Sequence, residues 1–226
     1  MIEKAERSSA QRTLLLGLAD QIGTFGFNPK VLGQSFYQVV PTGKWVFHIS
    51  FIVHKADFDL TADVAVRVNA IEDRVNEYDT KLSAAEKRQS MTLGGELGNI
   101  SEGVPRRWTV SSVEDIPAVC DKVIEAFQEI GLPFLQKHSD AVAAHRVLVS
   151  SKQADLLLAP ILGPRYMRAI ASAYITGNTS GIEALASRYE AKLSETGDLY
   201  LEDFRSLAHG LLSATPGAPF IRGLCE

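Results

Sequence analysis

A chain of 226 residues, 46% apolar and 22% charged, is long enough to bury a sizeable core and too apolar for a disordered segment. Its formal net charge of -4 gives no strong steering field, and its basic stretches are only the dipeptides Lys87-Arg88 and Arg106-Arg107, so nucleic acid is not an expected partner. Two cysteines, Cys120 and Cys225, make neither a disulfide framework nor a zinc site, and no apolar stretch approaches the roughly 20 residues of a membrane span. The expected setting is therefore the cytoplasm, without membrane association.

Residues 5–25 read as a helix, because Leu15, Leu18, Ala19, Ile22 and Phe25 recur at helical spacing and Gly23, Gly26 and Pro29 stop it. The period then changes to two. Gln34 to Val40 is aromatic and β-branched, and Pro41-Thr42-Gly43-Lys44 is a turn. Over 45–54, Trp45, Phe47, Ile49, Phe51 and Val53 form one face. Over 60–68 the parity switches, and Leu60, Ala62, Val64, Val66 and Val68 form the apolar set. Paired as a hairpin, odd positions of the first strand must face even positions of the second, so the loop near 55–59 holds an even number of residues. One compatible register sets Ser50 beside Asp63 and Val46 beside Arg67. The alternation argues for an antiparallel sheet, since parallel strands buried on both faces read as unbroken apolar runs.

The stretch 71–89 is polar and helix-friendly, broken near Asp79-Thr80. The glycine-rich run from Gly94 to Gly98 lacks both phosphate-loop patterns and reads as a bulged or sharply turning strand. Arg107 to Val110 is a last short strand. Ser111 with Glu114, or Ser112 with Asp115, then caps a helix carrying Val113, Ile116, Cys120, Val123, Ile124, Phe127 and Ile130, which Gly131 and Pro133 end. The last third is helical: 138–149; a helix from Pro160 with Leu162, Tyr166, Ile170 and Tyr174 on one side; one carrying Ile182, Leu185, Ala186, Tyr189 and Leu193; and one carrying Leu201, Phe204, Leu207, Ala208 and Leu211. The predicted fold is α+β. An antiparallel sheet of four to five strands in residues 1–150 is packed by the N-terminal helix and the helix near 112–131. An all-α extension with a flexible tail follows over 151–226.

Chemistry gathers on the polar sheet face. His48, Ser50, His54, Asp63 and Arg67 supply a serine, a histidine and a carboxylate, the inventory of nucleophilic catalysis. No glycine-flanked elbow exposes a serine, and half-buried sheets carry such residues routinely, so His48, Ser50, Asp63 and Arg67 are candidate ligand-binding residues and no catalytic set is assigned. His138 and His145 stand seven apart, read as one helix surface rather than the four-residue spacing of a helical zinc pair. His209 is assigned to packing. No cofactor and no metal are expected.

The order of elements also carries a resemblance. It rests on Gly26-Phe27, Ser35-Phe36-Tyr37, Trp45-Val46-Phe47-His48-Ile49, Arg107-Trp108-Thr109-Val110 and the close Gly131-Leu132-Pro133-Phe134-Leu135. Over about residues 10–140 the chain resembles a bacterial family designated domain of unknown function 4304. That family supplies no catalytic residues to carry over. Small α+β bacterial domains of this sort often accompany toxin, phage-defence or mobile-element genes. The expectation is a non-enzymatic protein-binding factor, in the manner of an immunity, inhibitor or phage-defence accessory protein, with the apolar tail residues Phe220 and Ile221 as docking surface. A small-ligand-binding protein or hydrolase-like enzyme using the polar sheet face is the first alternative, and a self-associating structural component the second.

Overall fold

The computed structural model describes residues 4–30, 33–178 and 181–213. The tail residues Phe220 and Ile221, and Cys225, lie outside them. The chain opens with α1 (Lys4–Gly23) and continues through β1 (Asn28–Lys30), β2 (Ser35–Val40), β3 (Gly43–Val53) and β4 (Phe58–Val68). After α2 (Asn69–Asn76) and α3 (Ala84–Gln89) come β5 (Leu93–Glu96), α4 (Leu97–Ser101) and β6 (Trp108–Val110). Every strand pairing is antiparallel, in the order β1-β2-β3-β4-β5. β6 also pairs with β4, at Phe58 to Leu60, while β5 takes Asp63 to Val66. The two short strands thus share one edge of β4, and the sheet is five positions wide.

Strand parity follows the apolar pattern. Along β4, Phe58, Leu60, Ala62, Val64 and Val66 are buried, while Asp59, Thr61, Asp63 and Ala65 are half-exposed. The loop between β3 and β4 holds residues 54–57, an even number. The register differs from the expected one by two residues: His48, not Ser50, sits opposite Asp63, and Lys44, not Val46, opposite Arg67. The cause is Phe58, which belongs to the apolar set of β4 and pairs with Val53, so the strand starts two residues earlier.

Helices cover the apolar face. Leu14, Leu15, Leu18 and Ile22 of α1 meet the helix α5 (Ile116–Ala126), which follows a 3-10 turn (Val113–Asp115) opened by a reciprocal Ser112–Asp115 capping box. Phe127 lies at the centre, with Phe25, Phe27 and Phe47 at ring distances of 5.5, 5.5 and 5.0 Å. Edge-on and tilted pairs of this kind add to the burial of the rings themselves. Contrary to the expected stop, the helix does not end at Gly131 and Pro133. It widens into a π-helical turn (Phe127–Gly131) and continues as α6 (Leu132–Lys137). A proline ring collides with the carbonyl four residues back in regular helix, and the wider turn relieves that collision. Gly131 is needed for a second reason: a Cβ there would lie 2.9 Å from Phe127 and 3.1 Å from Val64, so only glycine lets the helix pass this close to the sheet.

Cys120 lies in the α1–α5 seam, buried, with its Sγ 3.6 Å from the Leu14 carbonyl oxygen. Burial, with the Asp121 charge adding, pushes its thiol up to about 11. A thiol with so little thiolate and no exposure should resist alkylation. We expect the tryptic peptide carrying Cys120 to stay unmodified by iodoacetamide at pH 8 in the native protein and to be fully modified in urea.

The C-terminal helices are α7 (Ala141–Leu148), α8 (Gln153–Leu157), α9 (Leu162–Ile175), α10 (Ile182–Thr196) and α11 (Leu201–Ser213). α9 is central among them. Of the stripe expected on it only Ile170 is buried, with Leu162, Tyr166 and Tyr174 half-buried; Gly163, Met167 and the run from Ala169 to Ala173 are buried, because small residues let α2, α7, α10 and α11 close around it. Glu72 of α2 accepts from the Arg168 guanidinium at 2.7 Å, and Asp203 of α11 accepts from the Thr80 hydroxyl at 2.8 Å. The backbone amide of Gly94 donates to the carbonyl of Leu158 at 2.9 Å. His209 is exposed on α11 rather than packed; its neighbour Gly210 makes the close approach, to the Tyr78 hydroxyl. Among the described residues no helix is long and apolar enough to cross a membrane.

Candidate functional site

The face opposite the helices carries a row of polar side chains across four strands. The two-residue turn Pro41-Thr42 sets Ser35 of β2 opposite His48 of β3. The four-residue turn sets His48 opposite Asp63 of β4, and β5 brings Glu96 opposite Asp63. Ser35, His48, Asp63 and Glu96 therefore lie side by side.

Two members are fully engaged. Ser35 is 6% exposed, and its hydroxyl stands 2.9 Å from the Gly33 carbonyl oxygen and 2.8 Å from His48 Nδ1. With the single hydroxyl hydrogen on the Gly33 carbonyl, His48 Nδ1 is the donor to Ser35. A buried serine held in this way fixes the imidazole; the arrangement does not present a nucleophile. Glu96 is also spoken for. It accepts the amides of Gly98 and Arg106 through Oε1 at 3.0 and 3.1 Å and that of Asn99 through Oε2 at 2.9 Å, which caps α4. Gly98 is obligatory there, since a Cβ would lie 2.4 Å from the Val104 carbonyl oxygen.

Asp63 is the exception. Its carboxylate is half-buried and accepts no hydrogen bond among the described residues, and the neighbour facing it across β5 is another carboxylate. Burial raises its pKa, the His48 charge opposes this, and the Glu96 charge adds to it. Like charges directly opposite in a sheet are unfavourable, so this position costs stability.

The remaining expected residues do not join this row. Ser50 lies two residues further along β3, opposite Thr61. Arg67 lies roughly 13 Å from Asp63 along β4 at about 3.3 Å per residue. It is 8% exposed and clamps the strand end to the α2–α3 segment: Nε donates to Asn69, Nη1 to the carbonyls of Lys87 and Ser90, and Nη2 to Asp73. His54 pairs with Asp59 at 3.0 Å at the opposite end. The Thr109 hydroxyl, more than any other group, holds Asp59 below its ordinary value, against a burial penalty and with His54 and Arg107 adding.

His138 and His145 do not share a helix. His138 follows α6, buried against the Phe134 ring at 4.7 Å, whereas His145 sits on α7 with Nδ1 3.0 Å from the Ser172 hydroxyl. Among the described residues no group of histidine, cysteine and carboxylate side chains is placed to hold a metal ion.

Ser35 and Glu96 are the members that the sequence reading missed. Ser35 was within reach, because a two-residue turn at Pro41-Thr42 fixes its partner as His48. Glu96 was not, because β5 reaches β4 only after two intervening helices. Comparison of the chain with protein-family models, with curated proteins and with solved structures finds no match.

Proposed function

We propose that this is a non-enzymatic binding protein of the cytoplasm, whose polar sheet face docks another protein through a cation of that partner. The observation that carries the reading is Asp63: a half-buried carboxylate without a hydrogen bond among the described residues, at the middle of the face, beside a second carboxylate whose oxygens are committed elsewhere. A lysine or arginine arriving from a partner would relieve both charges at once, and a desolvated, charge-assisted pair at the centre of an interface is a strong anchor.

The size of the face agrees. Strands of up to 11 residues at about 3.4 Å each, across four strands about 4.8 Å apart, give on the order of 600 Å². That is near the roughly 800 Å² per partner of a standard interface. An immunity or inhibitor protein of a bacterial conflict system, as the family resemblance implies, would use such a surface.

The experiment is substitution at one position with two readouts. Asp63→Asn removes the like-charge pair, so it should raise stability by about 0.5 kcal/mol in urea unfolding while weakening capture of the partner from extract of the native host at least tenfold. Asp63→Arg should abolish capture. Equal capture of the same proteins by wild type and both variants would defeat the reading. So would a loss of stability in Asp63→Asn, which would make the carboxylate structural.

A further inference from the structure

We infer that the cleft between the π-helical turn and α8 is a second binding site, one for a small organic anion with an apolar body. It is separate from the sheet face and shares none of the residues of the polar row.

The cleft encloses about 890 Å³, within the range of small-molecule sites. Its walls come from α4, the π-helical turn with α6, and the α7–α8 segment. The π-helical turn contributes Glu129 and Ile130, and π-turns inside helices recur at functional sites. Ile100, Ile130, Phe134, Val147 and Leu158 give the apolar surface.

Charge decides the ligand class. Lys137, Arg146 and Lys152 line the cleft, all three exposed, and none forms an ion pair among the described residues. Against them stand Glu129 and Asp155. The Asp155 charge also acts on the buried Arg165 guanidinium, which leaves the cations in excess. His138 sits in the wall, 7% exposed, with Nδ1 buried and unpartnered among the described residues. Burial above all, with the Lys137 charge, holds its imidazole below the ordinary value despite Asp155 and Asp140, so at neutral pH it contributes a polar neutral ring. Three flexible cations around an apolar floor recognise a carboxylate or phosphate head on an apolar body; an ammonium head would be repelled.

The test uses the full chain and 1-anilinonaphthalene-8-sulfonate, an aromatic body carrying one anionic group, followed by fluorescence. Saturable binding at one site is expected. Decanoate and decyl phosphate should displace the probe, the better of the two identifying the head group, and decyltrimethylammonium should not. The double variant Arg146→Glu with Lys152→Glu, both exposed positions, should weaken probe binding at least tenfold. Arg12→Glu with Lys122→Glu, exposed and outside the cleft, should leave it unchanged. In ¹⁵N-histidine spectra the His138 ring signals should move on binding and those of His48 should not. Absent saturation, equal competition by the ammonium amphiphile, equal effects of the two double variants, or movement of His48 in place of His138 would each overturn the assignment. Because the Asp63 variants leave the cleft intact, loss of partner capture and loss of probe binding separate the two sites.

Discussion

Glu72→Gln is expected to cost about 3 kcal/mol of folding stability, the low end for breaking a buried ion pair, and to lower the melting temperature by roughly 6–12 °C for a chain of this size. Glu72 is fully buried, and both its oxygens face the Arg168 guanidinium, at 2.7 and 3.3 Å. Arg168 keeps 14% exposure, so some water can reach the orphaned cation, which is why the low end applies. The pair joins α2, just after β4, to the central helix of the C-terminal part. Burial pushes the Glu72 carboxyl up, but the Arg168 charge, its hydrogen bond and those of Ser90 and Thr92 together hold it below the ordinary 4.5. A depressed carboxylate stabilises the fold above its unfolded pKa and loses that contribution as pH falls through the folded value. Wild type should therefore lose stability from about pH 4.5 downward, and Glu72→Gln should lack that part of the acid limb. Replacing both partners, as Glu72→Leu with Arg168→Met, should recover most of the loss, because no charge is then left buried alone. Chemical denaturation between pH 3 and 7 reads all of this.

Arg165→Leu is expected to be at least as damaging, at about 3–5 kcal/mol. Arg165 is 2% exposed and makes no ion pair among the described residues. Its guanidinium donates instead to four backbone carbonyls: Val147 at 2.6 Å, Asp155 at 2.8 Å, Ser150 at 3.1 Å and Ala159 at 3.4 Å. These lie at the ends of α7 and α8, where helices leave carbonyls unsatisfied and carry their negative pole. One planar cation thus gathers two helix ends and the turn after them. Arg165→Lys should rescue little, since an ammonium on a single stem cannot serve four acceptors spread over two helix ends. A lysine variant within about 1 kcal/mol of wild type would show that charge alone suffices. Because Arg165 and Arg168 are neighbours on one turn-length of α9, the two losses should not add.

The sheet was legible because its residues alternate, and alternation states which side is buried. The register was misjudged through a single residue: Phe58 continues the even apolar set and shortens the loop to four residues, which moves His48 opposite Asp63. The helix stop at Gly131-Pro133 was misread because a proline rule for regular helix does not cover a π-helical turn that accommodates the ring. The groups holding the C-terminal part in place were beyond reach. Glu72 and Arg168 are 96 positions apart and Thr80 and Asp203 are 123 apart, and no local pattern marks an arginine whose partners are main-chain oxygens. The α9 stripe was read by its large residues, whereas its alanines are what let neighbours approach.

The most direct measurement is carbodiimide labelling of carboxylates in the protein alone and in complex with the partner it captures, read residue by residue by mass spectrometry. Asp63 should react in the isolated protein and become protected in the complex, while the exposed carboxylates of α10 and α11 stay reactive. Unchanged labelling of Asp63, with protection falling on those helices instead, would contradict recognition through the open face of the sheet.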